Sequence, residues 1–305
     1  MFAIGYPLAA WVGTGVYFIS ASGSASTFPW RFPLALPIVF AVVLLIGSPW
    51  LPFSPRWLMS QGRYEEAEAT LERLHGTKGS DEHRLDEAKK EFLQIRSQMA
   101  LDQEIVQTGF FELVRTPSNR KRVLVSVLLM AGNMFTGILM LSNYGIVIFS
   151  SLGMTGAQPI ILLAGVTSLG LPGNLLSAFI VDQVGRRRLL LIGISGILVS
   201  LICECTMYAL YSGTTNRGGN IAGVFFLFML VGFWGSCCDA TQYLYLSEIW
   251  PNHLRSQGVA VGMFTYFCTL IIILVAAPIG LDHIGWEFFL VLIVPEAFYL
   301  VAIYL

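Results

Sequence analysis

Polar side chains set inside long apolar runs are the residues of this chain whose types and positions could do chemistry. The chemistry they suit is binding rather than bond-making. One apolar run carries Asn133, Thr136, Ser142 and Asn143; another carries Asp239, Thr241, Gln242, Tyr243 and Tyr245; a third carries Glu204. A polar group held in an apolar medium is costly unless it meets a partner, so such groups face a cavity or one another. Asn133, Thr136, Asn143, Asp239, Gln242 and Tyr243 are therefore the candidate ligand-binding residues. Asp239 and Glu204 are read as the only clear acids well inside these runs. Asp239 is read as facing a cavity or a neighbouring helix, and Glu204 as close enough to its run's outer end to reach the interface.

A second group consists of charges that make sense only in pairs. Arg186 and Arg187 stand where one apolar run begins, and a helix N-terminus is the positive end of its dipole. Glu248 stands where another run ends, and Asp182 closes a third in the same way. Misplaced charges of opposite sign at one level point to partners across helices, an Asp182, Arg186, Arg187 and Glu248 cluster with Arg255 nearby. Anchoring of the arginines to anionic headgroups explains the same charges equally well at this point.

Other chemistries lack their residues. There is no G-x-x-x-x-G-K-[ST] loop, so no nucleotide-driven pump is indicated. His75, His83, His253 and His283 are read as loop residues and form no catalytic constellation with cysteine or glutamate. Cys203, Cys205, Cys237, Cys238 and Cys268 all fall in apolar runs, at spacings of neither a disulfide framework nor a metal site. No enzyme activity, cofactor, metal or nucleic-acid partner is expected.

The elements that position these residues follow from composition. Of 305 residues, 55% are hydrophobic and only 12% charged, where a soluble domain carries about a quarter charged. The expected solvent is therefore a lipid bilayer. A helix needs about 20 mostly apolar residues to cross it, and eight runs qualify: 1–20, 32–51, 123–149, 159–181, 188–211, 221–246, 257–280 and 286–305. Backbone groups in lipid must be bonded internally, so these runs are helices. Pro172 between Gly170 and Gly173 interrupts the fourth; Gly132, Gly137 and Gly145 thin the third; Gly258 and Gly262 form a small-xxx-small pair in the seventh. These permit close packing, or breaks that line a cavity. Trp30, Trp50, Trp57, Trp250 and Trp286 are read as interfacial belts.

Eight spans place both termini on one side. Loop 52–122 holds twelve of the eighteen Lys and Arg; Arg186, Arg187, Arg188 and Arg255 lie on the same side, leaving only Arg31 and Arg217 on the other. Positive charge marks the cytoplasmic side. In the long loop twelve acids balance the twelve bases. Two amphipathic helices are expected there, one in 62–76 with Ala67, Leu71 and Leu74 on a common face, one in 81–100 with Leu85, Phe92 and Ile95. They would lie against the cytoplasmic face.

Several stretches resemble sugar porters of the major facilitator superfamily, of the fungal type. PFSPRWLMSQGRYEEAEATLERLHG resembles the segment after the family's sixth helix; VDQVGRRRLL its D-x-x-G-R-R loop; LYLSEIWPNHLRSQGVAVG its tenth-helix ending; IGWEFFLVLIV its twelfth helix. The resemblance covers essentially the whole chain. It implies an all-α membrane protein with a partial major facilitator fold, about eight transmembrane helices resembling helices 5–12 of twelve. Residues 1–51 would be the last two helices of the N-terminal half, 52–122 the cytoplasmic loop, and 123–305 the six-helix C-terminal half, with helices one to four and their proton-coupling acid outside this sequence. It implies alternating-access transport of a small solute, with a proton as candidate coupling ion, in the plasma membrane. It also favours the salt-bridge reading of Asp182, Arg186, Arg187, Glu248 and Arg255, and adds Arg56 of the S-P-R motif. The sequence departs from the family where sugar-binding amides are expected: Asn133 to Leu139 stands for Q-Q-x-x-G-x-N, Tyr243 for a tryptophan, and Tyr266-Phe267 for an Asn-Trp pair. A more apolar and aromatic site fits a different sugar, a glycoside or a less polar solute better than glucose; the solute class expected is a sugar or a related polyol or glycoside. The competing readings are a truncated fragment that does not transport, and a membrane nutrient sensor on the same fold.

Overall fold

The computed structural model describes residues 2–21, 27–75, 82–105, 110–214 and 216–304, with side chains described outside 2, 3, 21, 82–85 and 101–105. Among the described residues there is no strand. Seven stretches there are long and apolar enough to cross a membrane: Phe28–Trp50, Pro117–Ser151, Gln158–Val184, Arg186–Tyr211, Arg217–Glu248, Arg255–His283 and Gly285–Tyr304. The first expected run forms a further apolar helix, α1 (Phe2–Ala21).

Contacts divide the described chain into two units, Met1–Pro29 with Gly109–Leu305, and Trp30–Thr108. In the second unit α2 (Phe28–Gly47) has no buried residue. After it come α3 (Pro55–Ser60), α4 (Tyr64–His75) and α5 (Glu82–Ile105). Leu58 and Met59 of α3 pack with Ala67 and Leu71 of α4 and with Ala88, Phe92 and Ile95 of α5. The expected face therefore forms, except at Leu74, which stays exposed and lines an open recess with Glu91 and Gln94. It sits in the last turn of α4, and Thr70 is buried beside Ala67 and Leu71 instead. Leu85 lies outside the described side chains. Polar contacts trim the rim: His75 pairs with Glu91 at 2.7 Å, and Glu66 accepts from Arg63 Nε at 2.8 Å, which holds that guanidinium above its ordinary pKa. Leu71→Ala should cost about 2–5 kcal/mol of local stability. Faster tryptic cleavage after Arg63 and Arg73 in the intact chain is the readout.

The first unit is the bundle. Its helices are α6 (Glu112–Arg115), α7 (Pro117–Gly132), α8 (Ile138–Ser151), α9 (Gln158–Ser168), α10 (Gly170–Val184), α11 (Arg186–Tyr211), α12 (Arg217–Phe233), α13 (Asp239–Glu248), α14 (Arg255–His283) and α15 (Phe288–Tyr304), joined by α1. Thr116 caps α7, its hydroxyl accepting from the Asn119 amide at 3.2 Å. That cap, with Pro117 at the first helical position, starts the span six residues before the apolar run at 123. α7 packs on α14 and α15, α11 on α12 and α15, and α1 on α9 and α10. The core runs through Leu129, Met130, Ile148, Phe149, Ile194, Ile197 and Phe289. Large apolar side chains such as Phe179, Phe264 and Phe298 are more than 70% exposed. So much bare apolar surface requires lipid or apolar partners, and the protein is an integral, multi-pass membrane protein.

Three spans are interrupted. Residues Asn133–Thr136 form a 3₁₀ turn between α7 and α8; Leu169 separates α9 from α10; residues Trp234–Cys238 form a π-helical turn between α12 and α13. Two expectations fail here. Trp250 is not an interfacial residue: it is 1% exposed, packed with Leu113 and Leu254, and its indole N–H donates to Ser126 Oγ at 3.0 Å. His75 and His283 end helices and His83 lies within α5, so only His253 of the four is in a turn.

Candidate functional site

The break in one span meets the break in another. Gly173 of α10 lies so close to the π turn that a Cβ there would sit 2.9 Å from the Gly235 carbonyl carbon and 3.0 Å from the Ser236 nitrogen. A Cβ on Gly235 would in turn sit 3.2 Å from the Gly170 Cα. Two backbones can approach this closely only without side chains between them. A π turn inserts one extra residue into a helix and rotates the next stretch of helix about its axis. Here that stretch is α13, and Asp239 is its first residue.

The contact brings Asn174 to Asp239. The Asn174 amide donates to Asp239 Oδ2 at 2.7 Å and to its own helix at the Gly170 carbonyl, 2.9 Å away. Tyr243, one turn after Asp239, lies within electrostatic reach of Tyr266 of α14, and Tyr6 of α1 within reach of both phenols. The Trp11 indole of α1 donates to Ser168 Oγ at 2.9 Å, which fixes α1 beside this face. Asn174, Tyr266 and Tyr6 were not among the candidates read from the sequence. Asn174 carried a signal, an amide in an apolar run two residues after Pro172.

The other candidates are placed differently. Asn133 and Thr136 are buried in the 3₁₀ turn, the Thr136 hydroxyl donating to the Asn133 carbonyl at 2.9 Å. No solute reaches them in this conformation. Gln242 is also buried, its carbonyl oxygen without a hydrogen-bond partner among the described residues, and Asn143 is exposed, its amide donating to the Leu139 carbonyl at 2.9 Å.

Glu204 and the missed Glu296 are the deepest acids. Glu204 does not reach an interface: it is fully buried, next to Gly223. Glu296 comes directly after Pro295 in an apolar helix and is equally buried. All four carboxyl oxygens lack a hydrogen-bond partner among the described residues. An unsatisfied buried polar group costs about 1–3 kcal/mol, so Glu296→Met, which keeps the volume, is expected to raise the thermal midpoint in detergent. A lowered midpoint would mean that this carboxyl has a stabilising partner.

The charged group lies where α10, α11, α13 and α15 end or begin. Gly185, at φ 88°, turns the chain sharply between α10 and α11. Arg186 then reaches Asp182 Oδ1 at 2.9 Å and Glu248 Oε1 at 3.0 Å with one terminal nitrogen, while its Nε donates to the same Glu248 oxygen at 3.2 Å. Arg187 is not part of that cluster. Its Nε donates to the Ile303 carbonyl at 3.0 Å and its terminal nitrogen to that of Tyr304, a cation at the negative end of α15. Arg255 is exposed and makes no hydrogen bond or ion pair among the described residues. Arg56, in the other unit, donates to Gln98 at 2.9 Å.

Comparison with known proteins identifies the family. The family model described as "Sugar (and other) transporter" matches residues 1–305. The chain belongs to the sugar (and other) transporter family. The MFS-type transporter criB of Aspergillus cristatus is 30% identical over 263 residues, 86% of this chain and 54% of its own. The MFS-type transporter oryC of Aspergillus oryzae is 29% identical over 307 residues, 98% and 55% of the two. The proton:xylose symporter XylE superposes with a TM-score of 0.75 at 21% identity, over 99% of this chain and 63% of its own. The fold is thus a partial major facilitator fold, and the chain spans about half the length of the curated relatives it matches.

Proposed function

We propose that these residues belong to a transporter that carries a small solute, a sugar or related polyol or glycoside, across the plasma membrane by alternating access, with a proton as coupling ion. Residues 123–305 act as the C-terminal half, 1–51 as the end of the N-terminal half, and 52–122 as the cytoplasmic loop between them. Both termini are cytoplasmic. The observation that carries this reading is the meeting of two interrupted spans at Gly173 and Gly235, which turns Asp239 and Tyr243 onto one polar face in an apolar bundle. Interrupted helices that expose polar groups at depth are how transporters build a solute site. Asp239 and Tyr243 bind the solute in this conformation; Asn133, Thr136, Asn143 and Gln242 join when the helices rearrange.

The cytoplasmic charges are the gate. Arg186 ties Asp182 to Glu248, Arg187 holds the end of α15, and Arg255 completes the group in another state. A relative described as an arabinose-proton symporter in Escherichia coli, 28% identical over 283 residues, supports the coupling ion. Uptake of labelled sugars by transporter-deficient yeast making this chain tests the function. Saturable uptake that collapses when the membrane proton gradient is dissipated is expected. A chain present at the membrane that takes up none of the panel sinks the claim that these residues transport those solutes.

A further inference from the structure

We propose that Glu296 is a proton-binding site, a carboxyl that holds the coupling proton while the helices are packed as they are in this structure and releases it when they part; this rests on the transport reading above. The side chain is 0% exposed, and neither carboxyl oxygen has a hydrogen-bond partner among the described residues. A carboxylate with neither cation nor donors is too costly to keep in an apolar interior, so the form that fits this place is the protonated acid. No charged group is among its electrostatic neighbours. The titratable groups within its reach are the thiol of Cys238, at the end of the π turn, and the phenol of Tyr299, one turn on along α15; Tyr245 of α13 in turn reaches Tyr299. The two elements packed most fully along α15 add none: residues 189–202 of α11 and 123–136 of α7 and the 3₁₀ turn contain no titratable side chain. α14 carries Tyr266, near Tyr243, and Cys268, Asp282 and His283, which are exposed, as is Glu287 before α15.

The neighbours of Glu296 belong to two of the broken spans. Cys238 is the last residue of the π turn, is buried against Gly193 of α11, and directly precedes Asp239 of the candidate solute face. The Tyr299 ring fills the place where a Cβ on Gly132 would stand, at the step from α7 into the 3₁₀ turn. A rearrangement at either break changes the packing over Glu296. Once water enters, the carboxylate is solvated and the proton can leave to the side that is open. The helices can then repack only after a proton has returned, because the bare carboxylate cannot be buried again. That requirement ties the proton to the same movement that opens and closes the solute face. Glu204 is equally buried and unpartnered, but it lies beside Gly223 in the contact of α11 with α12, where both helices run unbroken. It is the natural control.

Infrared spectroscopy of the purified chain in detergent at neutral pH tests the proton directly. The C=O stretch of a protonated carboxylic acid should be present and should lose intensity in Glu296→Gln, a variant checked to melt no lower than the original. An unmutated chain without that band overturns the proposal before any variant is made, and so does a Glu296→Gln spectrum that loses none of it. Uptake into liposomes under an inward proton gradient of about one pH unit tests the coupling, with labelled glucose, xylose and arabinose as probes. The unmutated chain should accumulate at least one of them up to about ten-fold. Glu296→Gln should lose accumulation far more than exchange, its inside-to-outside ratio falling to about one, and Glu204→Gln should accumulate as the unmutated chain does. Accumulation by Glu296→Gln overturns this proposal and leaves the transport reading standing. So does an equal loss in Glu204→Gln, and so does an unmutated chain that equilibrates the sugars without accumulating any. A folded chain that admits none of the three overturns the transport reading for these sugars and this proposal together.

Discussion

Gly173→Leu is expected to destroy the bundle, while Gly170→Ala, three residues away, leaves it intact. At Gly173 a Cβ would meet backbone on the π turn, 2.9 Å from the Gly235 carbonyl carbon. Backbone cannot rotate away as a side chain can. Even alanine there should cost about 1–3 kcal/mol as an overpacked contact. Leucine adds three more carbons with nowhere to go, so the two spans must separate. Separation takes Asn174 away from Asp239 and dismantles the candidate site as well as the fold. At Gly170 a Cβ meets nothing within 4 Å, and alanine is the better helix former by about 1 kcal/mol. The measurement is thermal unfolding of the full chain in detergent, with gel filtration to track aggregation. A Gly173→Leu protein that is monodisperse and melts like the original would mean that the two breaks do not touch.

How much of this was legible in the sequence depends on whether the cause is local. Bilayer thickness sets a length for apolar runs, so the spans were readable to within a few residues. The break at Leu169 was readable too, because Gly170, Pro172 and Gly173 weaken a helix wherever they occur. The π turn was not. Its residues, Trp234 to Cys238, include no proline, and what the turn serves is contact with α10, sixty residues earlier. Asp239 was therefore recognised as an intramembrane acid, but its partner was not. The same holds for charges. The misplacement of Arg186 and Glu248 on their own helices marks them as needing partners, and the geometry pairs them. Arg187 was grouped with them by the same logic, yet it satisfies itself on the carbonyls of Ile303 and Tyr304, which no spacing rule connects to it. Glu296 was legible and was passed over, one carboxyl in an otherwise apolar stretch. Burial of the solute candidates Asn133 and Thr136 depends on how α15 and α11 pack over the 3₁₀ turn, which no local pattern encodes.

Arg186→Ala is expected to change transport far more than stability. The pairs it makes are partly open to solvent: the arginine is 31% exposed, Glu248 47% and Asp182 74%. Ion pairs of that kind contribute about 1 kcal/mol or less, so the thermal midpoint should barely move. On the proposed gate, transport responds to a different quantity, the difference between the state in which Arg186 joins α10 and α13 and a state in which those helix ends have parted. A contact present in only one of two states shifts their ratio by its full value, and about 1 kcal/mol is a factor of roughly 5. Uptake through a transporter carrying this change should therefore fall several-fold at an unchanged midpoint. Arg186→Lys keeps the charge but replaces a fork that serves two carboxylates with a single point charge, and should fall between. Arg186→Glu sets three acids together and should be the worst of the series. Adding Glu248→Arg restores one opposite pair while leaving Asp182 beside Glu at 186, so the double variant should recover part of the uptake and not all of it. Equal loss in the single and double variants would show that Arg186 acts on something other than these two carboxylates. A midpoint that falls in step with uptake would make the cluster a structural clamp and no gate.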